Sequence, residues 1–111
     1  MIVVAAGNSH RDIDLLPEYP AALNLDSQIT VGAVGDHDEM ARYSNFGAKA
    51  VHIFAPGTNI VSTWPGGYMA YDSGTSMSTP FVAGAVALLR SQIPSATPAQ
   101  IRTALYNSAV H

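Results

Sequence analysis

The sequence predicts an α/β fold built on a mostly parallel sheet. Three observations carry that expectation. Met1-Ile2-Val3-Val4-Ala5 is a continuous apolar run rich in β-branched residues, the pattern of a strand covered on both faces. A second β-prone run, Ile29-Thr30-Val31-Gly32-Ala33-Val34, follows after more than twenty residues, enough for a crossover between parallel strands. The run from Phe81 to Leu89 is apolar on every side, as expected of a helix buried all round rather than an amphipathic surface helix.

The remaining elements follow in order. Ala6-Gly7-Asn8-Ser9 ends the first strand. Small side chains there admit another backbone, and Gly7 can take positive φ if the turn requires it. Asn8 reads as a turn former on residue chemistry alone. Residues 9–28, with Asp12, Asp14, Pro17, Pro20 and Asn24, read as a polar loop with one short helical turn near Ala21 to Leu25. His10-Arg11-Asp12-Ile13-Asp14 has neither EF-hand nor zinc spacing and reads as solvated. Gly35 to Glu39 is an acidic, solvent-facing turn, and Arg42 to Gly47 is irregular. Val51 to Ala55 forms a third strand, stopped by Pro56-Gly57. Asn59 to Thr63 and Tyr68 to Asp72 flank Trp64-Pro65-Gly66-Gly67, which predicts a hairpin whose aromatics Trp64, Tyr68 and Tyr71 pack against the sheet edge.

The hairpin leads into Gly74-Thr75-Ser76-Met77-Ser78-Thr79-Pro80. With Ser76 to Thr79 added, the apolar run suits a helix of about 12–15 residues, with Pro80 in its first turn. Ser76 then lies where backbone N–H groups lack partners and the helix dipole favours negative charge. Two readings stay open on turn chemistry: a helix cap and a nucleophile. The Gly-x-Ser-x-Gly elbow does not apply, because position 78 is serine. Pro94 closes the region. Thr97-Pro98-Ala99-Gln100 opens a second helix, with Thr97 as cap, Pro98 first and Gln100 completing a capping box; Ile101, Ala104, Leu105 and Ser108 form one face.

The 111 residues make one domain at most. Charged residues make up only 12% of the sequence against 48% hydrophobic, which points to extensive burial or partner-covered surface. The net charge is −3 and no basic cluster exists, which argues against nucleic acid and acidic membrane surfaces as partners. The absence of cysteine excludes disulfides and cysteine-based zinc sites. No apolar run reaches the roughly 18 residues of a membrane span.

Three ordered segments then carry a resemblance. Gly74 to Pro80 with Val82-Ala83-Gly84 resembles the nucleophile segment of the subtilisin-like serine proteases. Val3-Val4-Ala5-Ala6-Gly7-Asn8 resembles the strand bearing that family's oxyanion-hole asparagine, and Phe54-Ala55-Pro56-Gly57 its Ala-Pro-Gly turn. Tyr19-Pro20-Ala21 and Val31 to Val34 fit as well, so the match spans nearly the whole chain. The resemblance implies a partial three-layer subtilisin-like fold, with residues 1–111 as the C-terminal portion of a peptidase catalytic domain. It implies Ser76 as nucleophile and Asn8 as the amide facing the oxyanion in a Ser-His-Asp scheme. Ala5, Ala6 and Gly7 would line one wall of the substrate pocket; Thr75 joins them as substrate-binding while supporting the turn, and Met77 packs behind the nucleophile. No cofactor is required. Calcium is allowed in the parent domain, but many members carry an acidic residue where His52 stands, and calcium prefers oxygen ligands. His52 is therefore expected to be a structural or surface histidine.

The family's histidine lies in a His-Gly-Thr segment and its aspartate in Asp-Ser/Thr-Gly, both ahead of the asparagine strand. Neither appears here. Asp72-Ser73-Gly74 has the wording but falls where the family is variable. The chain also starts inside a strand, so it is expected to be a fragment. As a serine endopeptidase piece it would act on protein or peptide substrates outside the cytoplasm, and it would be inactive alone for want of a base. A complementary N-terminal chain or self-association is expected to cover its apolar surfaces. The other function class is a non-catalytic binding or assembly domain reusing the half-fold.

Overall fold

The computed structural model describes residues 1–111. Its centre is a parallel sheet in the order β1 (Ile2–Ala5), β2 (Gln28–Val34), β3 (Ile53–Pro56). Val3 and Ala5 of β1 face Ile29 and Val31 of β2, and Val31 and Ala33 face Ile53 and Ala55 of β3. The central strand is buried from Gln28 to Ala33, which explains its mainly apolar character. Its two buried polar residues find partners in the layer above: Gln28 Nε2 and Thr30 Oγ1 both donate to the Ala21 carbonyl at 2.9 Å. That carbonyl belongs to a single 3₁₀ turn at Ala21–Leu23, within the stretch expected to hold a short helical turn.

Strand alternation sends side chains to two cores. On one face Ile29, Val31 and Ala55 meet Val82, Val86 and Ile101 from two helices, α1 (Thr75–Gln92) and α2 (Pro98–Ser108). On the other, Ala6 packs with Ile13, Ala21, Ala50 and Val51 from irregular chain. Helices, sheet and loop layer thus make three layers, as expected. In α2 the capping box forms as read: Gln100 N donates to Thr97 Oγ1 at 3.2 Å and Thr97 N to Gln100 Oε1 at 2.9 Å. Only Ile101 of its expected face is fully buried.

α1 departs from expectation in two ways. It starts at Thr75 and runs 18 residues, so Pro80 stands in the second turn rather than the first. The missing proline N–H falls opposite the Ser76 carbonyl, four residues earlier. The helix begins early because its entry is clamped: Gly74 N donates to the Gly57 carbonyl at 2.8 Å, and Ser78 Oγ to the Ala55 carbonyl at 2.9 Å. Second, the chain covers only one side of it. Thr75, Ser78, Val82 and Val86 are buried, whereas Phe81 is 51% exposed and Leu88 71%. The predicted all-round burial would need atoms that these residues do not supply.

The hairpin forms from β4 (Ile60–Trp64) and β5 (Tyr68–Asp72) as a separate two-stranded sheet. Its aromatics correct the expectation of packing on the sheet edge. Trp64, Tyr68 and Tyr71 are 42%, 58% and 73% exposed, because the hairpin stands off the parallel sheet instead of extending it.

Candidate active site

The end of β1 meets the start of α1 through one side-chain amide. Asn8 Oδ1 accepts from both the backbone N–H and the hydroxyl of Thr75, each at 2.9 Å. The Thr75 hydroxyl in turn accepts the Gly7 N–H at 3.1 Å. That incoming donor forces the hydroxyl proton toward Asn8, and two donors at Oδ1 fix which way the amide faces. Nδ2 therefore points away from Thr75. It lies 3.4 Å from where a Gly74 Cβ would stand, a point 3.6 Å from Met77 Sδ and 3.7 Å from Asn8 Oδ1.

Ser76 is the next residue, exposed, in the first turn of α1. The Thr75 N–H is taken by Asn8, and the Met77 N–H by the Gly74 carbonyl at 3.0 Å. The Ser76 N–H lies between them, at a helix position without an intrahelical acceptor. The start of α1, with the exposed Ser76 in its first turn, is thus tied through Thr75 to Asn8 just past the C-terminal end of β1, and a helix N-terminus favours negative charge.

Two of the expected substrate-contacting residues lie beneath this surface. Ala6 is 0% exposed and belongs to the loop-side core. Thr75 is also 0% exposed, its hydroxyl consumed by Gly7 and Asn8, so it holds the amide and offers no face to a substrate. Ala5 and Gly7 remain half-buried at the strand end. Gly7 has φ of 103°, and a Cβ there would collide with Asn45 Nδ2 and come within 2.7 Å of Glu18 Oε1, so only glycine fits.

Ser76 opens into a cavity of about 430 Å³ between α1 and the hairpin, bounded by Ile60, Ser62, Trp64, Asp72, Met77 and Phe81 among others; no histidine lines it. His10 packs against Phe46 with ring centroids 5.7 Å apart. The His37 backbone N–H donates to Glu39 in the acidic turn. His111 lines a different cavity, beside Phe54 and Val110. His52 is committed at both ring nitrogens: Nδ1 accepts the Thr30 N–H at 2.8 Å, and Nε2 pairs with Asn24 Oδ1 at 2.9 Å. Burial, and then the charge of Arg102, lower its pKa below 6.5. His52 is a structural histidine. Both of its nitrogens are engaged within the chain, and no group of three or more acidic, histidine or cysteine residues is placed to hold a metal. Asp72 Oδ1 accepts the Ser73 N–H at 2.8 Å, and no histidine lines the cavity that Asp72 shares with Ser76, so Asp72 has no imidazole there to orient.

Sequence reasoning missed Asn45. It lies in the stretch read as irregular, yet it is 0% exposed and bonds to the loop around Asn8. Ser78, which ties α1 to β3, and Tyr43, which bonds the Gly57 carbonyl at 2.8 Å, were missed too. A buried polar residue within a glycine-flanked loop leaves no periodic trace.

A model of the subtilase family matches residues 1–111. The extracellular serine proteinase of Thermus sp. is 42% identical over 106 residues, covering 94% of this chain and 25% of that protein. The cuticle-degrading protease of Metarhizium anisopliae is 39% identical over 108 residues, 97% of this chain and 26% of that protein. Subtilisin Savinase of Lederbergia lenta is 41% identical over 109 residues, 98% of this chain and 38% of that protein. Among solved structures, a cold adapted subtilisin-like serine proteinase superposes with a TM-score of 0.81 at 40% identity, covering 89% of this chain and 34% of that one. The self-cleaved protease domain of PatA gives 0.80 at 35% identity, covering 99% and 42%. The chain therefore spans well under half the length of each of these proteins.

Proposed function

Because the chain belongs to the subtilase family, we propose that it is the nucleophile-bearing part of a serine endopeptidase. The observation that supports this reading is the double hydrogen bond from Thr75 to Asn8 Oδ1, which ties the asparagine to the residue immediately before Ser76 and leaves Nδ2 to serve as the donor.

In this reading Ser76 Oγ attacks the carbonyl carbon of a scissile peptide. The carbonyl oxygen gains negative charge and accepts hydrogen bonds from Asn8 Nδ2 and the Ser76 N–H. One such donor is typically worth about 3–4 kcal/mol of transition-state stabilisation. Because both donors are held before substrate arrives, little reorganisation is needed during reaction. Ala5 and Gly7 border the substrate at the strand end. The hydroxyl proton must leave to a base, and none of the four histidines of this chain lines the cavity at Ser76. The base and its aspartate are assigned to a complementary segment carrying the family's His-Gly-Thr and Asp-Ser/Thr-Gly sequences. Approach through the histidine-free cavity beside Ser76 would bring that base to the hydroxyl. No cofactor enters this scheme.

The same segment, or failing it a second copy of this chain, would cover Phe81 and Leu88 and the unpaired edges of β1 and β3. Proteins and peptides are the proposed substrates. Action outside the cytoplasm is proposed by analogy with the relative named an extracellular proteinase.

A fluorophosphonate probe tests the reading. Weak labelling of the chain alone and strong labelling of the complete catalytic domain, abolished by Ser76→Ala, is the expected result. A complete domain that does not label, or that labels equally well without Ser76, would leave a non-catalytic binding domain as the better account.

A further inference from the structure

Three consecutive residues, Tyr43, Ser44 and Asn45, each brace a different segment of the site. Tyr43 Oη donates to the Gly57 carbonyl at 2.8 Å, the same carbonyl that receives Gly74 N at the entry to α1. Ser44 Oγ accepts the Ala33 N–H at 3.0 Å near the end of β2. Asn45 takes the loop that carries Asn8.

Asn45 grips that loop on both sides of Asn8. Before it, Asn45 Nδ2 donates to the Ala6 carbonyl at 2.9 Å, and the Asn45 backbone N–H to the Gly7 carbonyl at 2.9 Å. After it, Asn45 Oδ1 accepts the N–H groups of Ser9 and Arg11, both at 3.0 Å. The second Nδ2 proton goes to Glu18 Oε2 at 2.8 Å. Both amide donors and both oxygen lone pairs are thus used, and the residue is fully buried. Backbone bonds hold the ends of the loop, from Ala6 N–H to the Val31 carbonyl and from His10 N–H to the Tyr43 carbonyl, both at 2.9 Å, and between them it contains Gly7, which with His10 has positive φ. Thr75 Oγ1 takes the Gly7 N–H, and Asn45 is the side chain that bonds the loop on both sides of Asn8.

We propose that Asn45 is a positioning residue for Asn8, and through it for the oxyanion site; this rests on the protease reading above. Asn45 touches no reacting atom. It fixes the backbone from which Asn8 reaches Thr75, so that Nδ2 waits where charge develops. Displacing a catalytic donor by about 1 Å can cost about a hundredfold in rate.

The test uses the complete catalytic domain, with kcat and KM measured per titrated active site. Asn45→Asp keeps the shape and the acceptor for Ser9 and Arg11, but places an oxygen against the Ala6 carbonyl and the Glu18 carboxylate. The expected result is a kcat lower by about tenfold to a hundredfold with KM unchanged. In an Asn8→Ala background the same substitution should cost little more, because its effect passes through Asn8. An unchanged kcat per active site, or an undiminished loss on top of Asn8→Ala, would overturn the proposal. If Asn45→Asp fails to fold, Glu18→Ala serves instead. It removes only the half-buried carboxylate holding Asn45, and the same non-additive pattern is expected at several-fold. If the wild-type domain shows no Ser76-dependent hydrolysis, the protease reading itself fails. Positioning of Asn8 is then decided by the side-chain amide NMR signals of Asn8 in the labelled chain: broadening in the Asn45 or Glu18 variant supports it, and unaltered signals refute it.

Discussion

Asn8 and Thr75 are 67 residues apart in sequence, and the asparagine oxygen receives both the backbone N–H and the hydroxyl of the threonine at 2.9 Å. This contact joins the only two elements that carry candidate chemistry. Thr75→Val should remove its hydroxyl half at little cost in shape, leaving the backbone N–H on Asn8 Oδ1. The Gly7 N–H then loses its acceptor, and an orphaned amide costs about 1–3 kcal/mol. Thr75→Ser should retain most of the stability. Urea unfolding of the three proteins measures the difference, and a valine variant as stable as wild type would remove Thr75 from the account.

Asn8→Ala removes the proposed donor without touching the nucleophile. In the complete domain kcat should fall by about a hundred- to a thousandfold with KM nearly unchanged, since the bond forms fully only with the oxyanion. Steady-state kinetics on a peptide substrate checks this. A rise in KM alone would place Asn8 in ground-state binding.

Gly7→Ala meets two obstacles at once. A side chain at φ of 103° is strained, and its Cβ would strike Asn45 Nδ2. The variant should unfold at lower denaturant than wild type, with a loss of more than about 1–2 kcal/mol from backbone strain alone. The same substitution at Gly84, where an added Cβ meets nothing within 4 Å, should be neutral or stabilising.

His52 provides a pH signature. Its Nδ1 accepts the Thr30 N–H, so the neutral ring is the form that fits, and its folded pKa is lowered from 6.5 by burial and then by Arg102. The unfolded chain therefore binds this proton more readily than the folded one. The stability contributed by neutral His52 is complete above pH 6.5 and is lost as pH falls from there through the lowered folded value. Asp14, whose pKa is lowered first by the Lys49 backbone N–H, loses its contribution only at and below 3.8, a separate window. The urea midpoint of wild type should decline from about pH 7 to about pH 5, and His52→Gln should flatten that decline. Identical slopes would contradict it.

What the sequence disclosed follows from how local each signal is. The strands of the parallel sheet were readable from runs rich in apolar and β-branched residues, but only β2 is buried along its length. β1, expected to be covered on both faces, is at most half-buried and leaves Ile2 51% exposed, because as an edge strand it lacks a neighbour on one side. The start of α2 was readable because a capping box is written within four residues, Thr97 to Gln100. Ser76 and Asn8 were named through the resemblance of their segments; their residue types alone allowed a cap and a turn. The clamp on Asn8 was hidden, since the partners of Asn45 lie 27 to 39 residues away. The burial of Ala6 was not readable, because a small apolar residue just past the end of β1 suits a pocket wall and a core alike. The hairpin aromatics were misjudged for a different reason: periodicity identifies a strand pair but says nothing of which surface it leans on.

The central claim is that Asn8 Nδ2 and the Ser76 N–H form one oxyanion site on the nucleophile of a peptidase. The most direct measurement is a crystal structure of the complete catalytic domain with a peptidyl phosphonate bonded to Ser76. The account expects the phosphonyl oxygen within about 2.7–3.1 Å of both Asn8 Nδ2 and the Ser76 nitrogen, with Asn8 Oδ1 still on Thr75. An adduct whose oxygen turns away from Asn8, with that side chain released from Thr75, would contradict it.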